Sequence, residues 1–307
     1  MLEVLAAGAL TTVQDRGRPG WARYGVPPSG PVDAAAFAAA NRLVGNSPAA
    51  AGLEITLAGP TLRALDDCLI AVCGAAFDLW VGRLPVPGWH SVYVRAGSVI
   101  RFGALRRGAR ACLAVSGGIQ VPLFLGSRST YLRGGFGGKE GRALQAGDRL
   151  LLGAGALRSP IEAAGVRWPS KRRPPYCSSP TLRVVLGPQD DHLSPAAVSR
   201  LLNADYVLSP AWDRMGARLM GPPLDFRKAT GIVSDGVVTG SIQVVPDGQP
   251  IIALVDRQTT GGYPKVATVI GADLPLLAQC PPGATVRLAP VGVAEAQAAL
   301  LAFRGGL

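Results

Sequence analysis

Ten residues near the end of the chain, 256–265, hold more polar chemistry than a turn between two strands requires. They read DRQTTGGYPK and lie between apolar runs at 250–255 and 266–270, whose length and β-branched content predict buried strands. Gly261 and Gly262 would allow a turn with positive φ. The polar side chains of the stretch are Asp256, Arg257, Gln258, Thr259, Thr260, Tyr263 and Lys265.

Two interpretations of this stretch remain open on the sequence alone. In a solvated hairpin the Thr and Asp side chains would satisfy their own backbone. In a ligand-binding or catalytic loop on a rigid β scaffold they would act on a small molecule. Asp256 would then serve as a general base or orient an amide, and Arg257 would bind a carboxylate or phosphate. The remaining amide and hydroxyl groups, those of Gln258, Thr259, Thr260 and Tyr263, would bind a planar carbonyl or urea-like substrate.

Lys265 is the candidate whose chemistry is most specific. It is the only lysine after Lys228, in a chain that otherwise uses arginine as its cation. Pro264 before it fixes the direction of the chain. We expect a solvent-facing ammonium that neutralises a bound or developing oxyanion, which makes Lys265 a predicted catalytic residue.

A second polar, glycine-rich loop lies near the start of the chain, at 11–31. Asp15 is a further candidate general base, with Glu54 as an alternative, and Arg18 is a candidate anion-binding group. Gln14 and Ser29 are predicted substrate-binding residues of the same loop. Because both loops place polar groups on backbones that permit close approach of a ligand, we expect them to form one cleft.

The elements that must position these loops are mostly strands. Between residues 53 and 152, short apolar runs are broken by glycine at intervals of roughly ten residues, which is typical of a β-sandwich or barrel. The clearest helix is predicted over 31–44, capped by Ser29 or Gly30 and stopped by Gly45. Shorter helices are predicted after Ser194, over 273–279 and near the end of the chain.

The length of 307 residues leaves room for two domains, each with its own core. Proline, serine and basic residues dominate 157–181, and apolar periodicity fails there, which predicts a linker or exposed crossover. We therefore predict a mainly β protein with a few short helices, built from units 1–165 and 181–307 joined by a linker at 166–180.

Charge and cysteine content exclude some classes of protein. The net charge is +11, but the basic residues are dispersed and are not interleaved with aromatic stacking groups, which disfavours nucleic-acid binding. Five cysteines without a C-x-x-C pair fit reduced thiols and a cytoplasmic location. The sequence begins without a recognisable signal peptide and has no uncharged apolar run of about 18 residues, so no membrane span is expected.

Common catalytic motifs are missing from the sequence. The two histidines, His90 and His192, belong to no metal-ligand spacing, so no metal site is predicted. No G-x-S-x-G elbow occurs. The glycine-rich stretch 134–141 fails as a phosphate loop because Glu140 follows Lys139, and it is interpreted either as a mobile loop or as a backbone site for an anion.

Seven motifs spread from Thr11 to about Phe303 are similar to those of one family. They are TTVQDRGRPGWARYGVPPSG, ANRLVGN, LEITLAGP, VSGGIQVPLFLGSRST, DRMGARL, GSIQVV and DRQTTGGYPKVATVI. These motifs resemble the biotin-dependent carboxyltransferase family, which includes the C subunit of 5-oxoprolinase and proteins labelled allophanate hydrolase subunit 2. The resemblance implies tandem cyclophilin-like β-barrels.

The same resemblance implies an enzyme subunit that is inactive alone. The first interpretation is a subunit of an ATP-dependent 5-oxoprolinase, which acts on a small cyclic amide together with the B subunit and a third 5-oxoprolinase subunit. The second is the carboxyltransferase half of a urea carboxylase that faces carboxybiotin. Since the chain has no Met-Lys-Met sequence, such biotin would arrive on another chain. The third is a non-catalytic regulator that binds a partner protein of the kinase-inhibitor type.

Overall fold

A computed structural model describes residues 1–155 and 161–306, so positions 157–160 of the predicted linker stretch lie outside the described residues. Contacts divide the chain into two compact units. The first unit comprises Met1–Arg18 and Ser29–Pro174, and the second comprises Pro19–Pro28 and Pro175–Leu307. The chain passes from the first to the second between Pro174 and Pro175, inside the predicted 166–180 linker. The predicted domain limits themselves stay a prediction.

Ten strands of the first unit form one sheet. They are β1 (Leu2–Ala6), β2 (Leu10–Gln14), β3 (Gly52–Thr56), β4 (Thr61–Ala64), β5 (Cys68–Val81), β6 (Leu84–Val86), β7 (Ser91–Val94), β8 (Val99–Val115), β9 (Ile119–Gln120) and β10 (Arg149–Leu152). The order along the main path is β2-β3-β8-β4-β1-β10-β9, and β5 pairs with β6, β7 and β8.

The long strands β5 and β8 organise this unit, since their antiparallel register runs from Ile70 opposite Val115 to Val81 opposite Ile100. The apolar core lies against them and is made almost entirely of Val, Leu, Ile and Ala. All five residues of β3 are buried, including Glu54, whose carboxylate accepts the backbone N–H of Val32 at 2.6 Å. Glu54 therefore serves the internal structure of this unit.

Seven strands of the second unit close into a barrel in the order β11-β18-β15-β16-β13-β12-β19. They are β11 (Thr181–Leu186), β12 (Tyr206–Trp212), β13 (Gly216–Met220), β15 (Ser241–Val244), β16 (Pro250–Ala253), β18 (Lys265–Val269) and β19 (Thr285–Pro290). Two further strands of two residues each, β14 (Asp235–Gly236) and β17 (Thr260–Gly261), pair with each other outside the barrel.

Four α-helices accompany the strands: α1 (Ala34–Leu43), α2 (Pro195–Asn203), α3 (Leu274–Ala278) and α4 (Val293–Gly306). Ser194 caps α2 as predicted, because its hydroxyl accepts the N–H of Ala197 at 3.1 Å. The predicted N-terminal caps of α1, Ser29 or Gly30, are wrong. Asp33 caps it, accepting the N–H of Ala36 at 2.9 Å, and the three residues before Ala34 stay outside the helix.

The prediction of a mainly β protein with a few short helices is confirmed. In residues 1–155 and 161–306, no helix is both long and apolar enough to cross a membrane.

Candidate functional site

The stretch 256–265 does not form a hairpin, so that interpretation is wrong. Strands β16 and β18 flank it, but β15 lies between them and pairs with both. Gly261 and Gly262 do not adopt positive φ. A Cβ added to Gly261 would lie 2.7 Å from the side-chain amide nitrogen of Gln243 and 2.9 Å from that of Gln258, so these two side chains would have to shift. The stretch is a crossing connection that passes over the end of β15.

Lys265 begins β18 and is buried, so the expectation of a solvent-facing ammonium is wrong. Its side chain is only 8% exposed, and the ammonium pairs with the Asp235 carboxylate and donates to the Gly236 carbonyl oxygen at 2.7 Å. The pairing with Lys265 lowers the pKa of Asp235. The Lys265 backbone is held by Gln189, whose side-chain oxygen accepts its N–H at 3.1 Å and whose N–H donates to its carbonyl at 3.0 Å.

Asp256 and Arg214 form a buried ion pair inside the second unit. The Arg214 Nε lies 2.8 Å from Asp256 Oδ2, and Nη2 lies 3.2 Å from Oδ1. The two side chains are 4% and 5% exposed. Two nitrogens of the Arg214 guanidinium thus engage both oxygens of the Asp256 carboxylate. Asp256 therefore fits a positioning role for the connection that follows it.

Arg257 is also buried and faces its own unit. Its Nε donates to the Val237 carbonyl at 2.9 Å, and its Nη1 donates to the Thr239 hydroxyl at 2.9 Å. Burial lowers the pKa of this guanidinium. These bonds tie the connection to the segment that follows β14.

The remaining predicted ligand-binding side chains of this stretch differ in exposure. Gln258, Thr260 and Tyr263 are exposed, whereas Thr259 is buried. The Thr259 carbonyl accepts the N–H of Val237 at 2.9 Å, and the Tyr263 carbonyl accepts the Gln243 side-chain amide at 3.0 Å. Gln258, Thr260 and Tyr263 therefore have side chains that a ligand can reach near Lys265.

In the first unit, Asp15 is the centre of a buried hydrogen-bond network. Its Oδ1 accepts the hydroxyls of Ser127 at 2.5 Å and Ser129 at 2.7 Å and the N–H of Gly17 at 2.8 Å. Its Oδ2 accepts the N–H of Arg128 at 2.6 Å. All four donors belong to the first unit, and Asp15 is only 6% exposed. This geometry is that of a carboxylate that shapes the loop.

The structure brings the other predicted residues of this loop to the same network. Arg18 is 1% exposed, donates from Nη1 to the Ser29 hydroxyl at 3.2 Å and from Nη2 to the Ser129 carbonyl, and lies 5.2 Å from the Phe136 ring centre. Gln14 donates to the Thr12 hydroxyl at 3.0 Å. Its side-chain oxygen is buried with no hydrogen-bond partner among the described residues. The predicted cleft shared with 256–265 stays a prediction, since Gln14, Asp15, Arg18 and Ser29 belong to the first unit and 256–265 belongs to the second.

The glycine-rich stretch 134–141 is packed against this network. A Cβ on Gly137 would lie 2.1 Å from the Ser129 carbonyl oxygen, and one on Gly138 would lie 1.9 Å from the Thr130 hydroxyl. The stretch lines a cleft of about 560 Å³ together with Leu123, Phe124 and Leu151. The Lys139 ammonium is 2.7 Å from the Glu140 carboxylate, so its charge is already neutralised within the loop. This pairing disfavours the phosphate interpretation.

Sequence reasoning missed the residues that surround Lys265 in space. Asp235 and Gln189 lie far from it along the chain, and Arg214 lies far from Asp256. The only available signal was that a buried-strand lysine needs a carboxylate nearby. Nothing in the residue pattern selects Asp235 from the other acidic residues.

The group around Lys265 can hold a small anion or polarise a carbonyl. Its ammonium is largely desolvated, which strengthens its interaction with a negative charge. A carboxylate is the partner that this ammonium already holds, since it pairs with Asp235.

The sequence of this chain is similar to those of carboxyltransferase-domain proteins. Residues 24–290 match the family model described as carboxyltransferase domain, subdomain A and B. The chain is 37% identical to the 5-oxoprolinase C subunit of Escherichia coli, over 96% of this chain and 93% of that protein. It is also 37% identical to a putative urea carboxylase of Emericella nidulans, over 92% of this chain but 23% of that protein. The crystal structure of the K. lactis urea amidolyase matches with a TM-score of 0.92 and 31% identity, covering all of this chain and 20% of that one.

Proposed function

Because the chain belongs to the carboxyltransferase-domain family, subdomains A and B, we propose that it is a subunit of an ATP-dependent 5-oxoprolinase that opens the cyclic amide 5-oxoproline to glutamate. One observation carries this proposal: the match to the 5-oxoprolinase C subunit covers 96% of this chain and 93% of the relative. The urea carboxylase and amidolyase relatives are several times longer than this chain. The extent of the match therefore favours the 5-oxoprolinase subunit.

In this proposal the residues of the second unit bind and polarise the substrate. Lys265 provides a desolvated ammonium that can hold a negatively charged oxygen of the substrate. Gln258, Thr260 and Tyr263 supply hydrogen bonds from the exposed side of the same connection. Asp256 and Arg257 act as positioning residues, since each is bonded within its own unit.

In the first unit, we propose that Asp15, Arg18, Gln14 and Ser29 form a supporting group. The Asp15 and Arg18 side chains hold the 127–130 segment and the glycine-rich stretch in place. The Gln14 side chain contributes to the same buried interior, where its amide donates to the Thr12 hydroxyl at 3.0 Å.

ATP and the remaining catalytic groups are assigned to partner proteins, the B subunit of the family and a third 5-oxoprolinase subunit. The glycine-rich stretch 134–141 does not fit a phosphate site, since Lys139 is paired with Glu140. We therefore assign ATP-dependent chemistry to the partner proteins, and we expect the pure chain to have no hydrolytic activity on its own.

A second candidate function is the carboxyltransferase half of a biotin-dependent urea carboxylase. The observation that favours it is the 37% identity with the putative urea carboxylase of Emericella nidulans. Carboxybiotin would arrive on another chain. Lys265 would then hold its carboxylate.

The test uses the chain assembled with its partner subunits and measures glutamate formed from 5-oxoproline and ATP. Lys265→Met keeps the buried stem but removes the ammonium, and we expect activity to fall roughly 10- to 150-fold, the loss of one charge-assisted hydrogen bond. Lys228→Met is the control, because Lys228 is 49% exposed and paired with Asp191. Unchanged activity of Lys265→Met would exclude this role. Turnover of urea with carboxybiotin but not of 5-oxoproline would favour the second candidate.

A further inference from the structure

Lys265 is covered by a segment that has few attachments, residues 229–236, here called the Asp235 loop. Seven of its eight residues are exposed, and Val233 is 92% exposed. The loop contacts the connection above β15 through the two-residue pairing of β14 with β17 and through the Ile232 N–H, which donates to the Gly262 carbonyl at 2.8 Å. Few buried apolar contacts and short ladders are features of segments that open at low cost.

The residues on either side of the loop are fixed much more firmly. Before it, the N–H groups of Arg227 and Lys228 donate to the His192 carbonyl at 2.8 and 3.2 Å. After it, Val237 is 3% exposed, and its carbonyl accepts the Arg257 guanidinium at 2.9 Å. Gly236 stands between the exposed Asp235 and this anchor, and a Cβ added to it would meet nothing within 4 Å. The loop can therefore move as a short segment between two fixed ends.

The ammonium under the loop cannot move in the same way. Lys265 lies in a barrel strand that pairs on both sides, and Gln189 binds both its N–H and its carbonyl. Its side chain is 8% exposed, whereas that of its partner Asp235 is 54% exposed. Among the described residues, both acceptors of the ammonium, the Asp235 carboxylate and the Gly236 carbonyl, belong to the loop. If the loop opens, a largely desolvated cation needs another anion.

We propose that Asp235 occupies the binding position of a substrate carboxylate, and that a small organic carboxylate displaces the Asp235 loop to pair with Lys265. The site fits this ligand class, because Asp235 itself is a carboxylate held by the Lys265 ammonium. The proposal rests on the proposed function, since 5-oxoproline carries a carboxylate next to its cyclic amide. It adds that the free site is closed by the chain's own anion.

A site closed by Asp235 should bind an incoming carboxylate less tightly than an open site does. The incoming carboxylate competes with Asp235 for the same cation, so its apparent affinity is its intrinsic affinity multiplied by the fraction of molecules in which the loop is open. Asp235→Asn removes the charge of the competitor while keeping its shape. Because the Asp235 side chain is 54% exposed, the replacement by Asn leaves no buried charge within the Asp235 loop. The variant should therefore bind a carboxylate more tightly than the native chain does.

The experiment measures binding of 5-oxoproline and of 2-pyrrolidinone to the full chain by calorimetry, with NMR of 15N-labelled lysine side chains. The two probes differ only in the carboxylate. We expect Asp235→Asn to bind 5-oxoproline about 10-fold more tightly, with a shift of the Lys265 signal, and to leave 2-pyrrolidinone binding unchanged. Lys265→Met should remove the difference between the probes. Asp247→Asn is the matched control, because Asp247 is 52% exposed and paired with Arg218.

Three outcomes would overturn the proposal: equal or weaker binding of 5-oxoproline by Asp235→Asn, no binding of either probe by that variant, or discrimination between the probes that persists in Lys265→Met. Asp235→Ser, checked for folding by circular dichroism, repeats the test if the Asn variant is unstable. Glutamate formation by the assembled complex is measured separately. Tighter binding without turnover would count against the proposed function alone, and turnover without tighter binding would count against the Asp235 loop alone.

Discussion

The buried pair between Arg214 and Asp256 allows the sharpest prediction about stability. Asp256→Asn keeps the shape of the side chain and the backbone bond from the Asp256 N–H to the Arg214 carbonyl at 2.9 Å. It removes only the negative charge. The Arg214 side chain is 4% exposed, so the guanidinium stays desolvated after its counter-charge is gone.

The expected cost follows from that burial. Two unit charges about 4 Å apart interact by about 4 kcal/mol at an effective dielectric constant of about 20. Removing one partner of a buried pair typically costs about 3–5 kcal/mol, because an uncompensated charge remains. We therefore expect the free energy of unfolding of the second unit to fall by about 3–5 kcal/mol, a large share of the stability of an ordinary domain.

The assay is denaturant unfolding combined with amide hydrogen exchange read by mass spectrometry. Two compact units can unfold in separate transitions, so exchange in β13 and β16 reports the second unit and exchange in β5 and β8 reports the first. Protection from exchange should fall in β13 and β16 and stay unchanged in β5 and β8. The double variant Arg214→Met with Asp256→Leu should recover most of the loss, since an apolar pair of similar volume replaces buried charges well.

Asp247→Asn supplies the comparison for an exposed pair. Asp247 and Arg218 are 52% and 36% exposed, and such pairs contribute roughly 0–1 kcal/mol. If Asp256→Asn costs no more than Asp247→Asn, the argument from burial is refuted. Asp256 would then return as a candidate catalytic carboxylate whose loss affects turnover without affecting stability.

Three further predictions concern groups outside this pair. Tyr206→Phe should raise the free energy of unfolding by about 1 kcal/mol in denaturant titrations. The buried Tyr206 hydroxyl has no hydrogen-bond partner among the described residues, and burial raises its pKa to about 12. A loss of stability would instead reveal a bound water or ligand. Cys177, which is exposed, should react with a thiol reagent well before Cys68, whose pKa burial raises to about 11, and equal rates by mass spectrometry would contradict this. The bond from Arg142 lowers the pKa of Asp148, so its stabilising contribution is present above the unfolded pKa of about 4 and is lost as pH falls through the lower folded pKa. Asp148→Asn should therefore flatten the fall in melting temperature below about pH 4, and an unchanged slope would count against it.

Local rules predicted the features of this chain that depend on nearby residues. The cap of α2 by Ser194 and the helix at the end of the chain follow from neighbours within one turn. Even here the predicted cap of α1 is displaced by a few residues. Pro31 marks the approach to the helix, but Asp33 has the geometry to bind the first free N–H groups.

Non-local pairing explains what the sequence could not predict. The 256–265 stretch has the composition of a hairpin, and only the insertion of β15 between β16 and β18 makes it a crossing connection. The burial of Lys265 has the same origin, because its counter-charge comes from Asp235 on a separate pair of strands. A residue pattern records which side chains are available. It does not record which distant carboxylate a sheet order brings to each cation.

The ten residues Pro19–Pro28 have a consequence for any attempt to divide this protein. They belong by contact to the second unit, although the chain on both sides of them belongs to the first. If the chain is divided between Pro174 and Pro175, the N-terminal fragment therefore carries residues 19–28 of the second unit. The C-terminal fragment lacks them. Separate expression of the halves should give at least one incomplete product, whereas co-expression can restore it by reassembly.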